Sequence, residues 1–360
     1  MINKRTLTIG VTGINSKVDN PGPGLAVARC LLEKGVEEIR VIGLGYDTLD
    51  AGMYTRDLCD RSYLMPYPSL GESALLARIE HIHAIEHLDA LIPCLDSELL
   101  AFARLTSALD SLGIRTFLPS VEQIALCRKE LLPDLATRAE VLAPKTQAIH
   151  KNDFFYHCTE QGWQYPLVVK GLFYDAKVVY TAAEATEAFY AIANQWGFPV
   201  LVQPFLAGEE VNLTGVGDGR GNLIGPVMMK KRAVTDKGKA WAGISIHDET
   251  LLQAARRLVK ASQWRGPLEV EMLKTSADQH YLIEINPRFP AWIALSAEVG
   301  CNLPKALVAL MEGTVPDLPM AAAGTLFVRY ATETFVSLAD FESVVLHGHS
   351  RAPVDRGDAT

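Results

Sequence analysis

The chain contains no stretch approaching the roughly 18 uncharged apolar residues that a membrane-spanning helix needs. The first residues, Met1 to Gly10, lack a long apolar segment and a small-residue cleavage site, and lead straight into a strand pattern. The expected location is therefore cytoplasmic. There is no CxxC pair and no metal-ligand spacing among Cys30, Cys59, Cys94, Cys127, Cys158 and Cys301, which excludes a cysteine zinc site. Their apolar or helical contexts predict buried free thiols, suited to a reducing compartment. Positive charge is also short, with 34 Lys and Arg against 42 Asp and Glu and a formal net charge of −8. Such a balance gives no general attraction for nucleic acid or an anionic membrane, although a local basic pocket for a small anion is compatible with it. Internal repeats and low-complexity tracts are absent.

What is present is apolar mass: 49% of 360 residues are hydrophobic. A single core stops growing near about 250–300 residues, so two or three domains are expected. Strand and helix signals alternate at the start. Leu7 to Val11 and Ile39 to Leu44 read as strands, with a helix from Leu25 to Leu32 that stops at Gly35. A helix over Leu75 to Glu86, a strand over Ala90 to Pro93 and a helix over Leu99 to Leu112 follow. That alternation predicts a mostly parallel sheet covered by helices. Ser120, with Gln123 three residues on, predicts a capping box opening a helix over Val121 to Leu132. Further strands are expected over Tyr165 to Lys170 and Pro199 to Pro204, around a helix over Thr181 to Trp196. Glu210 to Val216 and Asn222 to Met229 read as an antiparallel pair joined by a Gly-rich turn. A helix over Glu249 to Gln263 precedes a hairpin of Leu268 to Leu273 and His280 to Ile285. Val299 to Leu310 is expected to be helical, and the tail beyond Asp340 to be loosely held.

Gly22 and Gly24 precede a helix, but their spacing matches neither a dinucleotide fingerprint nor a P-loop. A turn that needs flexible backbone and an anion contact both remain open there. The strongest chemical signal is L-E-V-E-M-L followed by Y-L-I-E-I-N-P-R-F. Strand side chains alternate faces, so Glu269 and Glu271 share one face, as do Glu284 and Asn286. Pairing the strands brings Glu271 close to Glu284 and Asn286. Carboxylate and amide oxygens are hard ligands that suit Mg²⁺, whose other ligands are normally phosphate and water. Arg288 continues the same face and is placed to neutralise phosphate.

E-I-N-P-R at Glu284 to Arg288 resembles the closing motif of the ATP-grasp superfamily, and in particular its carbamoyl-phosphate-synthetase-like and biotin-carboxylase-like carboxylate–amine ligases. The resemblance spans about residues 5–315. It implies an α/β and α+β chain in which a pre-grasp parallel-sheet domain (1–118) is followed by a two-lobed ATP-grasp fold. That fold comprises a small domain with its lid (119–205) and a large metal-binding domain (206–330), with a C-terminal extension (331–360). By the same resemblance Lys129 and Lys170 reach the ATP phosphates. Gln203, Pro204, Phe205 and Leu206 form the adenine hinge, and Glu210, with Glu209 adjacent, takes the ribose. Glu271, Glu284 and Asn286 hold Mg²⁺, or Mn²⁺ in its place, and Arg288 contacts phosphate. Lys230 is favoured as the basic residue near the γ-phosphate, out of the run Lys230, Lys231, Arg232. The lid keeps Gly171 alone where relatives carry several glycines, and Lys177 is a local substitute. Pro290 and Trp292 stand where relatives have a Gly-rich run, and narrow the acceptor pocket.

The chemistry implied is ATP-dependent activation of a small-molecule carboxylate as an acylphosphate, followed by attack of an amine. Asp96 and Glu98 follow a strand in the first domain, where they either bind a substrate ammonium group or, for Asp96, cap a helix. An amino-acid-like substrate is expected on that basis, and a homodimer is the default assembly. One rival passes phosphorylated bicarbonate or carboxylate to ammonia, against which the absence of duplicated halves argues. Another is a nucleotide-binding regulator without catalysis, against which the intact carboxylates argue. A Rossmann-type oxidoreductase is disfavoured by the glycine spacing near the N-terminus.

Overall fold

The computed structural model describes residues 6–33, 38–172 and 175–351. Gly35, expected to stop the first helix, lies outside them. The first sheet contains β1 (Leu7–Thr12), β2 (Ile39–Gly45), β3 (Arg61–Leu64) and β4 (Ala90–Ile92), in the order β3-β2-β1-β4 and all parallel. Every residue of β1 is buried, which is why it reads as an unbroken apolar run rather than an alternating one. Helices Gly24–Leu32, Glu72–Glu86 and Asp96–Ser111 belong to this region. Gly22 and Gly24 are required by close packing. A Cβ would lie 2.2 Å from the Gly13 carbonyl oxygen at Gly22, and 2.0 Å from that of Thr12 at Gly24. The Gly22 N–H donates to Asn15 Oδ1 and the Gly24 N–H to the Gly13 carbonyl, which favours the turn reading of this segment.

The second sheet is antiparallel. It contains β5 (Gln147–Ile149), β6 (Leu167–Lys170), β7 (Ala176–Val179) and β8 (Val200–Pro204), in the order β5-β8-β6-β7. Helix Ala182–Trp196 packs on it through Phe189 and Ile192 against Val169 and Val202. The Thr181 hydroxyl accepts from the Glu184 N–H as the expected cap.

The third sheet is antiparallel and six-stranded: β9 (Glu209–Asp218), β10 (Leu223–Val234), β11 (Ala240–Ile246), β12 (Arg265–Lys274), β13 (His280–Asn286) and β14 (Leu326–Val328). Their order is β13-β12-β9-β10-β11-β14. Leu251, Ala255 and Leu258 of helix Glu249–Ser262 cover one face, meeting Leu213, Val270, Leu282 and Ile285. Period-two alternation then sends the intervening polar residues of β9, β12 and β13 to the opposite face.

Three expectations need correction. The helix opened by the Ser120–Gln123 capping box stops at Leu126, and a second helix, Leu132–Arg138, starts afresh. Pro133 sits in its first turn, where a missing N–H is tolerated; in a continuous helix its ring would clash with the preceding turn. Lys129 therefore lies in a turn rather than on a helix. The helix expected from Val299 begins at Leu303, after Gly300 adopts φ +82. The segment beyond Asp340 is docked rather than loose as far as residue 351. Helix Leu338–His347 buries Val344 against Ile14 and Met53. The Leu64 and Ser350 N–H groups donate to Gly348 and Ser62 carbonyls along the outer edge of β3.

All six cysteines are free, and all but Cys127 are buried. Burial pushes the Cys30 and Cys59 thiols up to about 12, so neither is a thiolate near neutrality. Among the described residues no helix is long and apolar enough to cross a membrane.

Asp248 fastens helix Glu249–Ser262 to the sheet. Its Oδ1 accepts from the Leu251 N–H, and its Oδ2 meets Lys274 Nζ at 2.8 Å and His280 Nε2 at 3.0 Å. Burial pushes this carboxyl up, but bonds from Lys274, Leu251 and His280 outweigh it and hold it at about 2. A depressed carboxyl stabilises the fold fully above its ordinary value of 3.8 and loses that contribution as pH falls toward 2. Asp248→Ala should therefore lower unfolding free energy by about 1–2 kcal/mol near neutrality in denaturant titrations. The gap to the parent protein should narrow as pH drops from about 5 to about 2. A gap that stays constant across that range would refute this role of the charge.

Candidate active site

The acids gather on the face of the third sheet opposite helix Glu249–Ser262. Register pairs Glu271 with Glu284 and Glu269 with Asn286 across β12 and β13, and Glu271 with Asn212 across β12 and β9. Asn286 Nδ2 donates to both Glu269 Oε2 (3.1 Å) and Glu271 Oε1 (3.0 Å). Its Oδ1 accepts from Arg288 Nη2 at 3.1 Å. Arg288 is buried, and its Nε and Nη2 both reach Asp96 Oδ2, at 3.2 and 2.9 Å. It also lies 3.6 Å from Glu269 Oε2. Burial disfavours the guanidinium charge, but Asp96 and Glu269 outweigh it and hold the proton more firmly.

Two further cations arrive from outside this sheet. Lys129 Nζ is 3.4 Å from Glu284 Oε1. Lys170, at the end of β6, is buried, and its ammonium is pushed down to about 8 by burial and then by Lys129, with Glu284 opposing. The structure thus assembles Lys129, Lys170, Glu271, Glu284, Asn286, Arg288 and Asp96 into one charged locus.

The basic run on β10 is phased differently from the expectation. Lys230 pairs with Glu209 at 2.7 Å. Lys231 is the residue that faces the acids, 2.7 Å from Glu210 Oε2 and 2.8 Å from Glu271 Oε2. Burial opposes the Lys231 charge, but Glu271 and Glu210 prevail and raise its pKa. Glu271 is likewise pushed up by burial yet ends below the usual carboxylate range because of Lys231. Glu269 goes the other way, raised by burial and by Glu271.

Glu98 is corrected as a substrate contact. It is completely buried. Its oxygens accept from the Thr12 and Tyr46 hydroxyls and from the Cys94 and Leu95 N–H groups, so it ties strand ends together. Asp96 keeps a side chain 45% exposed. Gln203 is buried on β8 and donates to Thr146 Oγ1 at 2.8 Å. Pro204 ends β8, and Phe205 and Leu206 follow in the connection between the second and third sheets. The Phe205 N–H donates to the Pro166 carbonyl, and its ring is 40% exposed. Glu210 is exposed at the start of β9. Lys177 lies away from the acids, on β7, 3.8 Å from Glu187.

Among the described residues no group of three or more His, Cys, Asp or Glu residues is arranged to hold a metal ion. The donor set on β12 and β13 is leaner, two carboxylates and one amide. That fits Mg²⁺, which binds through one or two carboxylates and completes its shell with phosphate and water, better than it fits an all-protein cage. Sequence reasoning placed Glu269 on this face without giving it a role, and passed over Asn212. Both sit on the acid face by alternation alone, Glu269 accepting from Asn212 Nδ2 at 2.9 Å and from Trp292 Nε1 at 2.7 Å.

Residues 198–334 match a family described as "ATP-grasp in the biosynthetic pathway with Ter operon". No curated protein matches the chain in sequence. Among solved structures, a biotin carboxylase from Campylobacter jejuni is similar over 88% of this chain and 73% of its own, with 19% identity and a TM-score of 0.67. An L-amino acid ligase from Bacillus licheniformis is similar over 86% and 74%, with 16% identity and a TM-score of 0.62. An N5-carboxyaminoimidazole ribonucleotide synthetase in complex with ADP is similar over 96% and 86%, with 14% identity and a TM-score of 0.66. The parallel sheet and the two antiparallel sheets give the chain the fold of these solved structures, and residues 198–334 are the part that matches the ATP-grasp family.

Proposed function

We propose that the chain is an ADP-forming ligase that uses ATP to activate a small-molecule carboxylate and joins it to an amine. The observation that carries this reading is the convergence of Lys129 and Lys170 on the carboxylate face of the third sheet, at Glu284. A triphosphate needs cations around its oxygens and hard ligands for its metal, and this locus offers both.

The substrate carboxylate attacks the γ-phosphorus, the bond to ADP breaks, and an acylphosphate results. The amine then attacks the acyl carbon and phosphate leaves, giving an amide. Glu271, Glu284 and Asn286 would hold Mg²⁺, or Mn²⁺, which when bound supplies further neutralisation of phosphate charge. Lys129, Lys170 and Arg288 would place fixed positive charge beside the transferred group. Lys231, set between Glu210 and Glu271, would balance the acids on the same face. No side-chain nucleophile is needed, so positioning and water exclusion carry the rest. Gln203 to Leu206 would take the adenine and Glu210 the ribose. Asp96, beside Arg288 and partly exposed, would face an ammonium group. An amino-acid-like substrate is in keeping with the L-amino acid ligase among the structural neighbours.

The deciding experiment is a matrix of carboxylates and amines with ADP release and product mass as readouts. ADP formed only when both partners are present, with ¹⁸O passing from labelled carboxylate to phosphate, is expected. Formation of AMP and pyrophosphate would overturn the reading.

Glu284→Gln should reduce ADP formation by about a hundredfold or more while leaving the melting temperature within a few degrees. Turnover at the parent rate would remove Glu284 from the metal site.

Lys170 also imposes a pH dependence. Its ammonium is charged below about 8 and neutral above, and phosphate binding favours the charged form. ATP affinity measured by calorimetry should therefore weaken as pH rises from about 7.5 to about 9.5, by up to about tenfold per unit. Lys170→Met should bind weakly and lose that slope. A parent protein with flat affinity over this range would contradict the assignment.

A further inference from the structure

Glu269 lies in the middle of the acid face and is almost wholly buried, yet nothing above gives it a part in the reaction. Its hydrogen bonds are instructive. Oε1 accepts from Trp292 Nε1 at 2.7 Å and from Asn212 Nδ2 at 2.9 Å. Oε2 accepts from Asn286 Nδ2 at 3.1 Å and lies 3.6 Å from Arg288 Nη1. Two of these partners hold the carboxylate in place, and the other two are groups assigned to metal and phosphate.

Asn212 shows that this arrangement carries a cost. It is fully buried, and its Oδ1 has no hydrogen-bond partner. An orphaned buried acceptor is unfavourable. Turning the amide over would aim that oxygen at the Glu269 carboxylate instead, so the orphan is accepted in order to keep a donor on Oε1. An apolar residue at 269 would remove both the buried charge and the need for Asn212.

We propose that Glu269 is a positioning residue, which fixes the Asn286 amide and the Arg288 guanidinium in the orientation that receives a metal-bound nucleotide. The inference rests on the nucleotide-site reading above. With Nδ2 engaged by Glu269 and Glu271, the Asn286 oxygen is left toward Arg288 and the ligand side. Trp292 acts one step further out, by holding Glu269 itself. Outer partners of this kind commonly change metal affinity by about 10–100-fold.

A glutamine at this position brings an N–H₂ group to a carboxylate whose four neighbours are all donors. One contact becomes donor against donor, and the Asn286 and Arg288 orientations are no longer fixed. The test is ADP binding by calorimetry in EDTA and in MgCl₂, with the parent protein, E269Q and W292F. ADP lacks the transferred phosphoryl group that Arg288 would face, so its metal-free affinity depends on the hinge and on Lys129 and Lys170, and should stay within about twofold of the parent. The affinity gained on adding Mg²⁺ should shrink at least tenfold in E269Q and several-fold in W292F. An undiminished gain in either variant overturns the proposal, as does a parallel fall in metal-free affinity, which would mark a purely structural role. If E269Q does not fold, W292F decides, because it removes only one donor to Oε1 and leaves the carboxylate. A parent protein without any Mg²⁺-dependent gain would instead overturn the nucleotide-site reading beneath this one.

Discussion

The structure turns on a side-chain amide. Asn286 donates through its nitrogen to two acids of β12 and accepts from Arg288 through its oxygen. Around it, buried or half-buried carboxylates of Glu269, Glu271 and Glu284 stand on one sheet face. Like charges this close are tolerable only if cations are supplied with good geometry. Lys231 supplies one from β10, Arg288 another from the end of β13, and Lys129 a third from the turn before the second sheet. Removing a fully buried member of such a set, as Arg288 is, is expected to cost about 3–5 kcal/mol, far above a surface pair.

The same cations join the parts of the chain. Arg288 reaches Asp96 at the start of a first-domain helix, and Lys129 reaches Glu284 from the connecting turn. A second anchor lies at the start of β12. There the Arg265 guanidinium donates to the Thr116 and Leu118 carbonyls and stacks 4.1 Å from the Phe117 ring centroid. The large lobe is therefore attached to the first domain through two guanidinium groups at one end of the β12–β13 pair. A change at the acid face is felt by Asp96 without any intervening loop.

Much of this was legible because it depends on local rules. Parallel strands buried on both faces announced the first sheet. The Ser120–Gln123 box formed as written, and the alternation of E-V-E and E-I-N placed the acids on one face before any register was known. The failures share a cause, dependence on distant partners. V-M-M-K-K puts methionine on both faces of β10, so alternation could not phase Lys230 against Lys231. β11 was not anticipated, since Gly243 weakens a strand signal. Yet a Cβ there would come within 2.5 Å of Met229 Sδ, so that glycine is imposed by the neighbouring strand. Glu98 looked like a surface acid at a sheet edge until Thr12 and Tyr46, remote in sequence, closed over it. The docked C-terminal helix likewise depends on Ile14 and Met53, which no local pattern near residue 344 can indicate.

The acid face also bears on why the fold tolerates so much buried charge. Buried ion networks are seldom the most stable solution, and apolar residues of similar volume often do better. The opposite face of the same sheet demonstrates the alternative, with Leu213, Val270, Leu282 and Ile285 packed under helix Glu249–Ser262. One sheet thus carries both solutions back to back on its two faces. On the apolar side, stability is served. On the polar side the chain accepts clustered acids, a lysine at the end of β6 with a weakened hold on its proton, and an unpaired Asn212 oxygen. Several local rules are broken together on this face, which is the pattern expected where a site is selected for binding charge rather than for cohesion. On the proposed reading, a polyanion with its metal would bring the countercharges that such a face lacks, so the ligand would complete the least cohesive surface of the sheet.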